Sequence, residues 1–305
     1  MALKVIIPGV LTTVQDKGRF GYQKSGMTSS GVMDACAYRK SNYLVGNLHN
    51  EAVLELTLYG GEYEFTDETV IALTGADMAP MLNDRPIPMN RAIMVKADDD
   101  LKLGMAQSGC RTYLAAAGGI DVPVVMNSRS TNLRCKVGGF HGRALQVNDL
   151  VPLGVWNKEN KDVPGRRVSG ENYPDEIKVH VVPGPQEEYF TDAGIKTFYS
   201  ERYEVTEECD RMGYRLDGAE IESKDGTDIV SDGIVYGSVQ IPSSGKPIIL
   251  MADHQTTGGY AKIGTVCQMD LSKLAQCRPG NYVRFERISV EKAEELEKEG
   301  KNYEL

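Results

Sequence analysis

The feature that most constrains the fold of this 305-residue chain is an internal repeat. Four short anchors in the first half recur in the same order in the second half. The matched pairs are residues 73–77 with 216–220, 104–107 with 237–240, 118–119 with 258–259, and 146–151 with 276–283. Any one match is weak, but four matches in register indicate two copies of one module.

Each copy of the module is rich in short strands. Apolar and β-branched runs, such as 53–58 and 69–74, are separated by Gly, Asn, Asp and Pro. Many short strands with few helices favour closed or nearly closed barrels over a doubly wound sheet. We therefore expect a mainly β fold of two tandem barrels, with strand-end loops at a shared cleft.

A polar stretch that contains Gly and Pro divides the two copies. The predicted domains are residues 1–160 and 176–288, joined by a linker at 161–175. Residues 289–305 are rich in Glu and Lys at helical spacing, which predicts a solvated terminal helix and tail.

The net charge of -9 and the pI near 5.1 argue against nucleic acid or an anionic membrane as a partner. No apolar run approaches the roughly 20 residues that cross a bilayer, and the N-terminus lacks a signal-peptide pattern. The six cysteines are scattered singly, so we expect reduced thiols in the cytoplasm. No histidine or cysteine spacing predicts a metal site.

The main candidate for a functional site follows an apolar run at 247–252 that predicts a buried strand. Five consecutive polar side chains come next: Asp253, His254, Gln255, Thr256 and Thr257. Gly258 and Gly259 then allow a sharp turn or the close approach of a ligand. Polar groups at the end of a rigid strand can bind and polarise a small substrate. The alternative is a turn in which these side chains bond to the backbone.

Two stretches of the first half carry donors suited to an anion. Ser128, Arg129, Ser130 and Thr131 follow an apolar run and suit a carboxylate or a phosphate. His141 lies in a glycine-rich loop that exposes it, although a lone histidine is more often structural.

In the second half, Asp210, Arg211 and Arg215 surround a glycine. Two guanidinium groups near a cleft suit a carboxylate-bearing substrate. A salt-bridged turn is the alternative for each of these residues.

The N-terminal region predicts two local structures. Asp16 and Arg19 flank a turn and are close enough to form a structural ion pair. A helix is expected to begin near Ser30 or Asp34. Two interpretations of this helix start are equally compatible with the sequence: simple capping, and an anion site formed by exposed hydroxyls and amides.

Several common catalytic motifs are excluded. Gly245-Lys246 does not form a phosphate loop, because Gln240 replaces the first glycine and Pro247 replaces the Ser or Thr. The sequence contains neither a G-x-G-x-x-G after a strand nor a G-x-S-x-G motif.

Six stretches together carry a resemblance to a known family. They are Thr13-Val-Gln-Asp16 with Gly18-Arg19, Ser30-Gly-Val-Met-Asp34, Leu44-Val-Gly-Asn47, Ser128-Arg-Ser-Thr131, Asp210-Arg-Met-Gly-Tyr-Arg-Leu216 and Asp253-His-Gln-Thr-Thr-Gly-Gly-Tyr260. The chain resembles, over about residues 5–285, the biotin-dependent carboxyltransferase family, also called allophanate hydrolase subunit 2. That family includes the C subunit of bacterial ATP-dependent 5-oxoprolinase.

The resemblance implies two cyclophilin-like β-barrel halves and a stable complex with a kinase-inhibitor-like B subunit (allophanate hydrolase subunit 1). With a third component, the A subunit, such a complex converts 5-oxoproline to glutamate and hydrolyses ATP. In urea carboxylase, the related region instead transfers a carboxyl group from carboxybiotin to urea. The chain departs from the family pattern at Asn127, where glycine is usual, and at Ala261, where proline is usual.

The chain lacks a Met-Lys-Met biotin-attachment segment and a biotin carboxylase region, so any biotin must come from another chain. This favours a 5-oxoprolinase component whose ATP is bound by the complex. One alternative is a biotin-dependent carboxyltransferase acting on urea or a similar amide. Another is a non-catalytic regulatory partner of the kinase-inhibitor-like B subunit.

The expected roles follow from side-chain chemistry. Asp253 and His254 handle protons or polarise the substrate. The groups that position it are Gln255, Thr256 and Thr257. Arg129, Arg211 and Arg215 hold a carboxylate or a charged intermediate. Ser128, Ser130, Thr131, Asp210 and His141 complete the predicted binding set.

Overall fold

The structure, a computed structural model, describes residues 1–48, 50–156, 163 and 165–303. The chain divides into two units with dense internal packing. Unit 1 comprises Met1–Gly21 and Ser29–Tyr173, and unit 2 comprises Tyr22–Thr28 and Pro174–Leu305. The predicted domain boundary at residue 160, part of the predicted linker and the last two residues of the tail lie outside the described residues. The predicted domain limits therefore stay predictions.

In the described part of unit 1, the strands form two antiparallel sheets, accompanied by one α-helix. The elements are β1 (Ala2–Ile7), β2 (Leu11–Gln15), α1 (Ala35–Leu44), β3 (Val53–Thr57), β4 (Tyr59–Phe65), β5 (Thr69–Asp77), β6 (Met81–Leu82), β7 (Arg85–Pro86), β8 (Ala92–Val95), β9 (Asp100–Met105), β10 (Ser108–Ala116) and β11 (Leu150–Pro152). The strand order is β11-β1-β4-β9-β6-β7 in the first sheet and β2-β3-β10-β5-β8 in the second.

The second sheet of unit 1 is buried on both faces, and strand β5 shows why. Successive side chains of a strand point to opposite faces. Ile71 and Leu73 pack with residues of the first sheet such as Tyr63, whereas Val70 and Ala72 pack in a separate cluster that contains residues of helix α1. A strand covered on both faces reads as a continuous apolar run, which is the pattern that the sequence shows here.

Helix α1 is capped by Asp34, one of the two starts predicted for it. The Asp34 carboxylate accepts a hydrogen bond from the Ala37 backbone N–H at 2.9 Å, which satisfies one of the free amide groups of the first turn. Ser29 and Ser30 are only 8% and 5% exposed, so the expectation of exposed hydroxyls at this helix start is wrong. The backbone N–H of Asp34 instead donates to the Tyr113 hydroxyl, which draws this segment into the interior.

In the described part of unit 2, the elements are two short 3₁₀ helices and the following strands and helices. The 3₁₀ helices are Gln23–Ser25 and Glu187–Tyr189. The others are β12 (Glu176–Pro183), α2 (Asp192–Ser200), β13 (Arg202–Cys209), β14 (Gly213–Asp217), β15 (Asp228–Gly233), β16 (Ser238–Ile241), β17 (Ile248–Leu250), β18 (Thr257–Val266), α3 (Gln268–Leu274), β19 (Tyr282–Arg287) and α4 (Val290–Tyr303).

Seven of the unit 2 strands close into a barrel, in the order β12-β19-β13-β14-β17-β16-β18 and back to β12. The ring closes because β12 pairs in parallel with β19 and antiparallel with β18. Strand β15 lies outside the ring and pairs with β18. The mainly β class predicted from the sequence is confirmed, and closure removes the unpaired strand edges within the ring.

Aromatic side chains anchor helix α2 to the unit 2 barrel. The rings of Phe198 and Phe285 stack with centroids 4.3 Å apart, and Tyr203 lies tilted against Phe285 at 5.7 Å. All three are almost fully buried. Burial of three aromatic rings on this scale contributes several kcal/mol to the stability of unit 2, on the basis of roughly 1.5–3 kcal/mol per large side chain.

The two glycine pairs of the sequence repeat adopt different conformations. Gly118 and Gly119 have φ values of +87° and +73° and turn the chain after β10. Gly258 and Gly259 lie inside strand β18, so of the two alternatives that the sequence left open here, the sharp turn does not occur. Pairing of Gly258 with Asp232 on β15 keeps this backbone in the sheet.

No helix in the described residues is both long and apolar enough to cross a membrane.

Candidate functional site

The loop that follows strand β17 carries the predicted polar stretch, and its first residue forms a buried ion pair. Arg211 donates to the Asp253 carboxylate from Nε at 2.9 Å and from an Nη atom at 3.3 Å. The two side chains are only 5% and 10% exposed. The Asp253 backbone N–H also donates to the Arg211 carbonyl at 2.7 Å. The structure therefore brings the predicted site residues Arg211 and Asp253 together, and their mutual hydrogen bonds fix the position of both.

His254 is buried beside this pair, and its orientation defines its tautomer. Its Nδ1 lies 2.7 Å from the Gln255 carbonyl oxygen. Because a carbonyl oxygen only accepts, the proton of a neutral ring resides on Nδ1, which leaves Nε2 as an acceptor. Burial lowers the pKa of His254 below its ordinary value, which outweighs the opposing effects of the Gln255 carbonyl and of Asp253. The neutral imidazole is thus the favoured form.

The remaining members of the polar stretch lead into strand β18. Gln255 and Thr256 are partly buried, and Thr257 is exposed at the first position of the strand. The Thr256 carbonyl accepts a hydrogen bond from the Ile234 backbone N–H at 3.1 Å. Of these three side chains, Gln255 lines a cleft in unit 2.

This cleft, which we call the Arg215 cleft, has a volume of about 200 Å³ and lies beside strands β13, β14, β16, β17 and β18. Its polar lining residues are Glu208, Asp210, Arg215, Gln240, Gln255 and Tyr260, and its other lining residues are Met212, Gly213, Ile248 and Leu250. The volume suits a ligand smaller than a typical drug. One guanidinium group, two amide side chains and two carboxylates supply the cleft with several hydrogen-bond donors and several acceptors.

Asp210, in the turn between β13 and β14, and Arg215, on β14, both line the cleft. The Asp210 carboxylate accepts from the backbone N–H groups of Met212 at 2.7 Å and Gly213 at 3.0 Å, so it shapes the turn. Arg215 is 55% exposed and pairs with the more exposed Glu208 at 3.1 Å. An exposed ion pair of this kind is weak, so Arg215 can exchange Glu208 for a bound carboxylate at little cost.

Two buried polar residues, one in the lining of the cleft and one opposite it on the neighbouring strand, were not among the sequence candidates. Gln240 is 2% exposed, lines the cleft and donates to the Tyr260 carbonyl at 3.3 Å. Lys262 lies opposite Gln240 in the strand register, and its ammonium group donates to Asp232 at 2.7 Å. Each of them is a polar residue inside a mainly apolar strand, and this pattern could have identified them from the sequence. A polar side chain is rarely buried in a strand unless it forms hydrogen bonds or has a functional role.

A methyl group at Gly258 would clash with Ile234 and with Gln240, which lines the Arg215 cleft. A Cβ atom there would lie 2.7 Å from the Gln240 side-chain nitrogen and 2.4 Å from the Ile234 Cδ1 atom. The close approach expected of this glycine is therefore made by the protein's own side chains.

The serine-rich cluster of unit 1 surrounds a carboxylate that belongs to the chain itself. Asp16 accepts from the Ser128 hydroxyl at 2.6 Å, the Ser130 hydroxyl at 2.5 Å and the Arg129 backbone N–H at 2.6 Å. The Gly18 backbone N–H adds a fourth bond at 2.8 Å. Asp16 is 2% exposed. These donors suit a carboxylate, as the sequence indicated, and in this structure they hold Asp16.

Thr131 and Arg19 complete the same buried network. The Thr131 hydroxyl donates to the Val14 carbonyl at 2.9 Å, and an Arg19 Nη atom donates to the Ser130 carbonyl. Arg19 is fully buried. Asp16 and Arg19 thus both contact Ser130, and the substrate-binding roles predicted for Ser128, Ser130 and Thr131 stay predictions.

Arg129 and His141 lie at the margin of the cluster. Arg129 donates from Nε to the Val122 carbonyl at 2.9 Å and pairs with Asp121 at 3.3 Å, with one third of its side chain exposed. His141 is exposed, has a φ of +58° and lies edge-on to Phe140 at 4.4 Å. Both side chains remain accessible, and their binding roles stay predictions.

No group of three or more His, Cys, Asp or Glu side chains that could hold a metal ion occurs in the described residues. All six cysteines are free thiols.

Comparison with known proteins gives consistent matches over nearly the whole chain. The profile of the carboxyltransferase domain, subdomains A and B, matches residues 25–287. The chain is 37% identical to the C subunit of 5-oxoprolinase from Escherichia coli over 302 residues, covering 99% of this chain and 96% of that protein. It is 35% identical to urea amidolyase of Lachancea kluyveri, but covers only 17% of that protein. The crystal structure of Kluyveromyces lactis urea amidolyase superposes with a TM-score of 0.89 at 30% identity, covering 99% of this chain and 20% of that one.

Proposed function

Because the chain belongs to the family defined by the carboxyltransferase domain, subdomains A and B, we propose that it is the C subunit of an ATP-dependent 5-oxoprolinase complex. In this proposal, it acts together with an A subunit and a kinase-inhibitor-like B subunit to open the lactam ring of 5-oxoproline and form glutamate. It is active only in that complex, in the cytoplasm.

One observation carries this proposal. The match to the 5-oxoprolinase C subunit of Escherichia coli covers 96% of that protein, whereas the match to urea amidolyase covers 17% of a much longer protein. The chain is thus similar to a complete subunit in the first case and to one region of a multifunctional chain in the second.

The Arg215 cleft supplies groups that match 5-oxoproline. The substrate carries one carboxylate and one lactam, which has an N–H donor and a carbonyl acceptor. In the proposed complex, Arg215 binds the carboxylate through charge-assisted hydrogen bonds. The side-chain amides of Gln240 and Gln255, both in the lining, bind the lactam N–H and carbonyl.

Asp253 and His254 directly precede Gln255 in the chain, and we propose a different role for each of them. The neutral His254 ring presents Nε2 as a base, because Nδ1 faces the Gln255 carbonyl. A base with a lowered pKa remains unprotonated at neutral pH. Asp253 is bonded to Arg211 on both of its oxygens, so it positions the Arg211 segment rather than carrying a free proton.

The Gly245-Lys246 stretch does not fit the phosphates of a nucleotide. The Lys246 ammonium group, which a phosphate loop would need, pairs with Asp217 at 3.2 Å and also donates to the Gly218 carbonyl. In this proposal, ATP is bound by the complex. Any biotin would be carried by another chain.

A second candidate function is carboxyl transfer from carboxybiotin to urea or a similar amide. It is favoured by the superposition on Kluyveromyces lactis urea amidolyase with a TM-score of 0.89. The same amide-binding groups of the Arg215 cleft would serve that reaction.

The experiment that separates these functions is reconstitution. The chain is mixed with the purified A and B subunits, each omitted in turn, and glutamate is measured from 5-oxoproline and ATP. We expect activity that requires this chain and is unaffected by avidin. Avidin-sensitive transfer to urea without glutamate formation would support the carboxyltransferase. If neither reaction occurs while the chain still binds the kinase-inhibitor-like B subunit, the regulatory partner is the correct assignment.

A further inference from the structure

A second concave site lies in unit 2, and none of the predicted site residues belongs to it. This cavity, which we call the Thr227 cavity, has a volume of about 450 Å³. Its lining consists of the segment 220–223, Thr227 and the turn 242–245. The volume falls within the range of small-molecule sites, roughly 300–1,000 Å³.

The walls of the Thr227 cavity are fixed by backbone hydrogen bonds. The Ile221 N–H donates to the Gly245 carbonyl at 3.0 Å and ties one wall to the other. The Gly245 N–H closes the turn on Pro242 at 2.9 Å. Glu222 is fixed by Thr191, whose hydroxyl donates to its carboxylate at 2.8 Å. A site held in this way exists before a ligand arrives, which lowers the entropic cost of binding.

The lining is rich in acceptors and carries negative charge. It contains the carboxylates of Glu220 and Glu222 and the hydroxyls of three serines and Thr227, with Ile221 as a buried apolar wall. All lining residues are among those the structure describes, and none of them is Lys, Arg or His. An anion is therefore disfavoured here, whereas a cation with N–H donors finds both charge and acceptors.

Thr227 gives independent support for a ligand. It is 4% exposed, and its hydroxyl oxygen has no hydrogen-bond partner among the described residues. Its backbone carbonyl accepts from the Ala261 N–H at 2.8 Å, which fixes its position. A buried hydroxyl without a partner is unfavourable. Such groups are uncommon and call for a specific explanation.

We propose that the Thr227 cavity binds a free small organic cation that carries N–H donors, of the guanidinium or primary ammonium class. The planar fork of a guanidinium group can engage the Glu220 carboxylate bidentately while another N–H reaches the Thr227 hydroxyl. This site is separate from the proposed 5-oxoproline site, because the two clefts share no lining residue.

The test uses the full chain and methylguanidinium as the probe. Two-dimensional NMR follows the methyl groups of Thr227 and Ile221 and the amide of Gly245 at constant ionic strength. We expect saturable shifts confined to these groups, with a dissociation constant on the order of 1 mM or tighter. Tetramethylammonium has the same charge but no N–H donor, and it should cause no saturable shift. Equal shifts with both cations, or no saturation with methylguanidinium, would overturn the proposal.

Two variants sharpen the test. Thr227→Val keeps the shape of the side chain and removes the hydroxyl, and it should weaken methylguanidinium binding about five- to tenfold. Glu220→Gln should weaken it by a similar factor, whereas Glu207→Gln, an equal change of charge outside the cavity, should not.

The stability of Thr227→Val provides a readout that does not need the ligand. Removal of a buried hydroxyl that has no partner should leave the melting temperature unchanged or raise it. A lower melting temperature would mean that the hydroxyl serves the folded chain itself, and unchanged methylguanidinium affinity would mean that it does not contact the cation. Either result would overturn the proposal.

Discussion

Arg211 and Asp253 form a two-point ion pair at the turn of the unit 2 hairpin, although they lie 42 positions apart in the sequence. Nε and an Nη atom of Arg211 reach separate oxygens of the same carboxylate, at 2.9 and 3.3 Å. This geometry gives both direction and strength to the contact. The pair ties the loop after β17 to the β13–β14 turn, and therefore sets the position of the next residues, His254 and Gln255.

The first prediction concerns this ion pair. Asp253→Asn removes the negative charge that faces the buried Arg211 guanidinium, so it should lower the free energy of unfolding by about 3 kcal/mol. Urea unfolding of the full chain measures the change in the free energy of unfolding. The control is Lys178→Gln, which breaks an exposed pair with Glu286 and should have no measurable effect. An Asp253→Asn variant as stable as the parent would show that the pair is not structural.

The second prediction concerns the Asp16 network of unit 1. Asp16→Asn replaces one acceptor oxygen by an amide group that faces a donor, so it should cost about 2–3 kcal/mol of unfolding free energy. The matched control is Asp121→Asn, because Asp121 is 63% exposed and its loss should be neutral. Urea unfolding compares the two variants. Equal stabilities would indicate that water, rather than Asp16, satisfies the serine hydroxyls.

The third prediction tests the Arg215 cleft and rests on the proposed function. Arg215→Ala should raise the KM for 5-oxoproline about tenfold or more, with a smaller effect on kcat, because it removes a contact made before the chemical step. Steady-state kinetics of the reconstituted complex provide both constants. Arg284→Ala is the control, since Arg284 is also exposed but pairs with Glu176 and does not line the cleft. A KM unchanged by Arg215→Ala would remove this residue from the substrate site.

The fourth prediction concerns pH. Burial lowers the pKa of His254 in the folded chain below the unfolded value of about 6.5. Between these two values the unfolded chain binds more protons, so stability is fully present above about pH 6.5 and is lost as the pH falls towards the folded pKa. His254→Gln should flatten this part of the stability profile, as measured by urea unfolding from pH 7.5 down to about pH 5. A profile of the same slope in the variant would assign the effect to another group.

The fifth prediction concerns thiol reactivity. Cys135 is exposed, whereas Cys110, Cys267 and Cys277 are buried. Burial raises the pKa of the Cys36 thiol to about 11, which leaves little reactive thiolate near pH 8. Iodoacetamide should therefore label Cys135 first in the folded chain, as mass spectrometry of peptides can show. A Cys135→Ser variant should lose the fast phase, and rapid labelling of Cys36 instead would contradict this assignment.

The sequence predicted the local structures well where the cause is local. Alternating and continuous apolar runs indicated short strands, because strand side chains alternate between faces. Asp34 was one of two predicted helix starts, with Ser30, and it is the cap because its short carboxylate reaches the N–H of Ala37, three residues ahead. The sequence allowed a turn or a close approach at Gly258-Gly259, and the turn does not form because strand pairing with β15 overrides the freedom of glycine.

Residue types also indicated the chemistry of the candidate sites, but not the partners. The sequence identified Ser128 and Ser130 as donors for a carboxylate or a phosphate, yet it could not identify the group they hold as the carboxylate of Asp16, more than 100 positions away. Gln240 was overlooked as a site residue because its role depends on which strands lie beside β16.

The sequence by itself therefore determined the mainly β class, several of the strands, the acidic character and the family resemblance of this protein, since each depends on composition, periodicity or motifs along the chain. Only the tertiary structure decided that Arg211 binds Asp253, that Asp16 fills the serine cluster, and that β12 closes the unit 2 barrel through β18 and β19. Contacts between distant segments form only when the packing of the whole unit offsets the loss of chain entropy, and no local pattern encodes that sum.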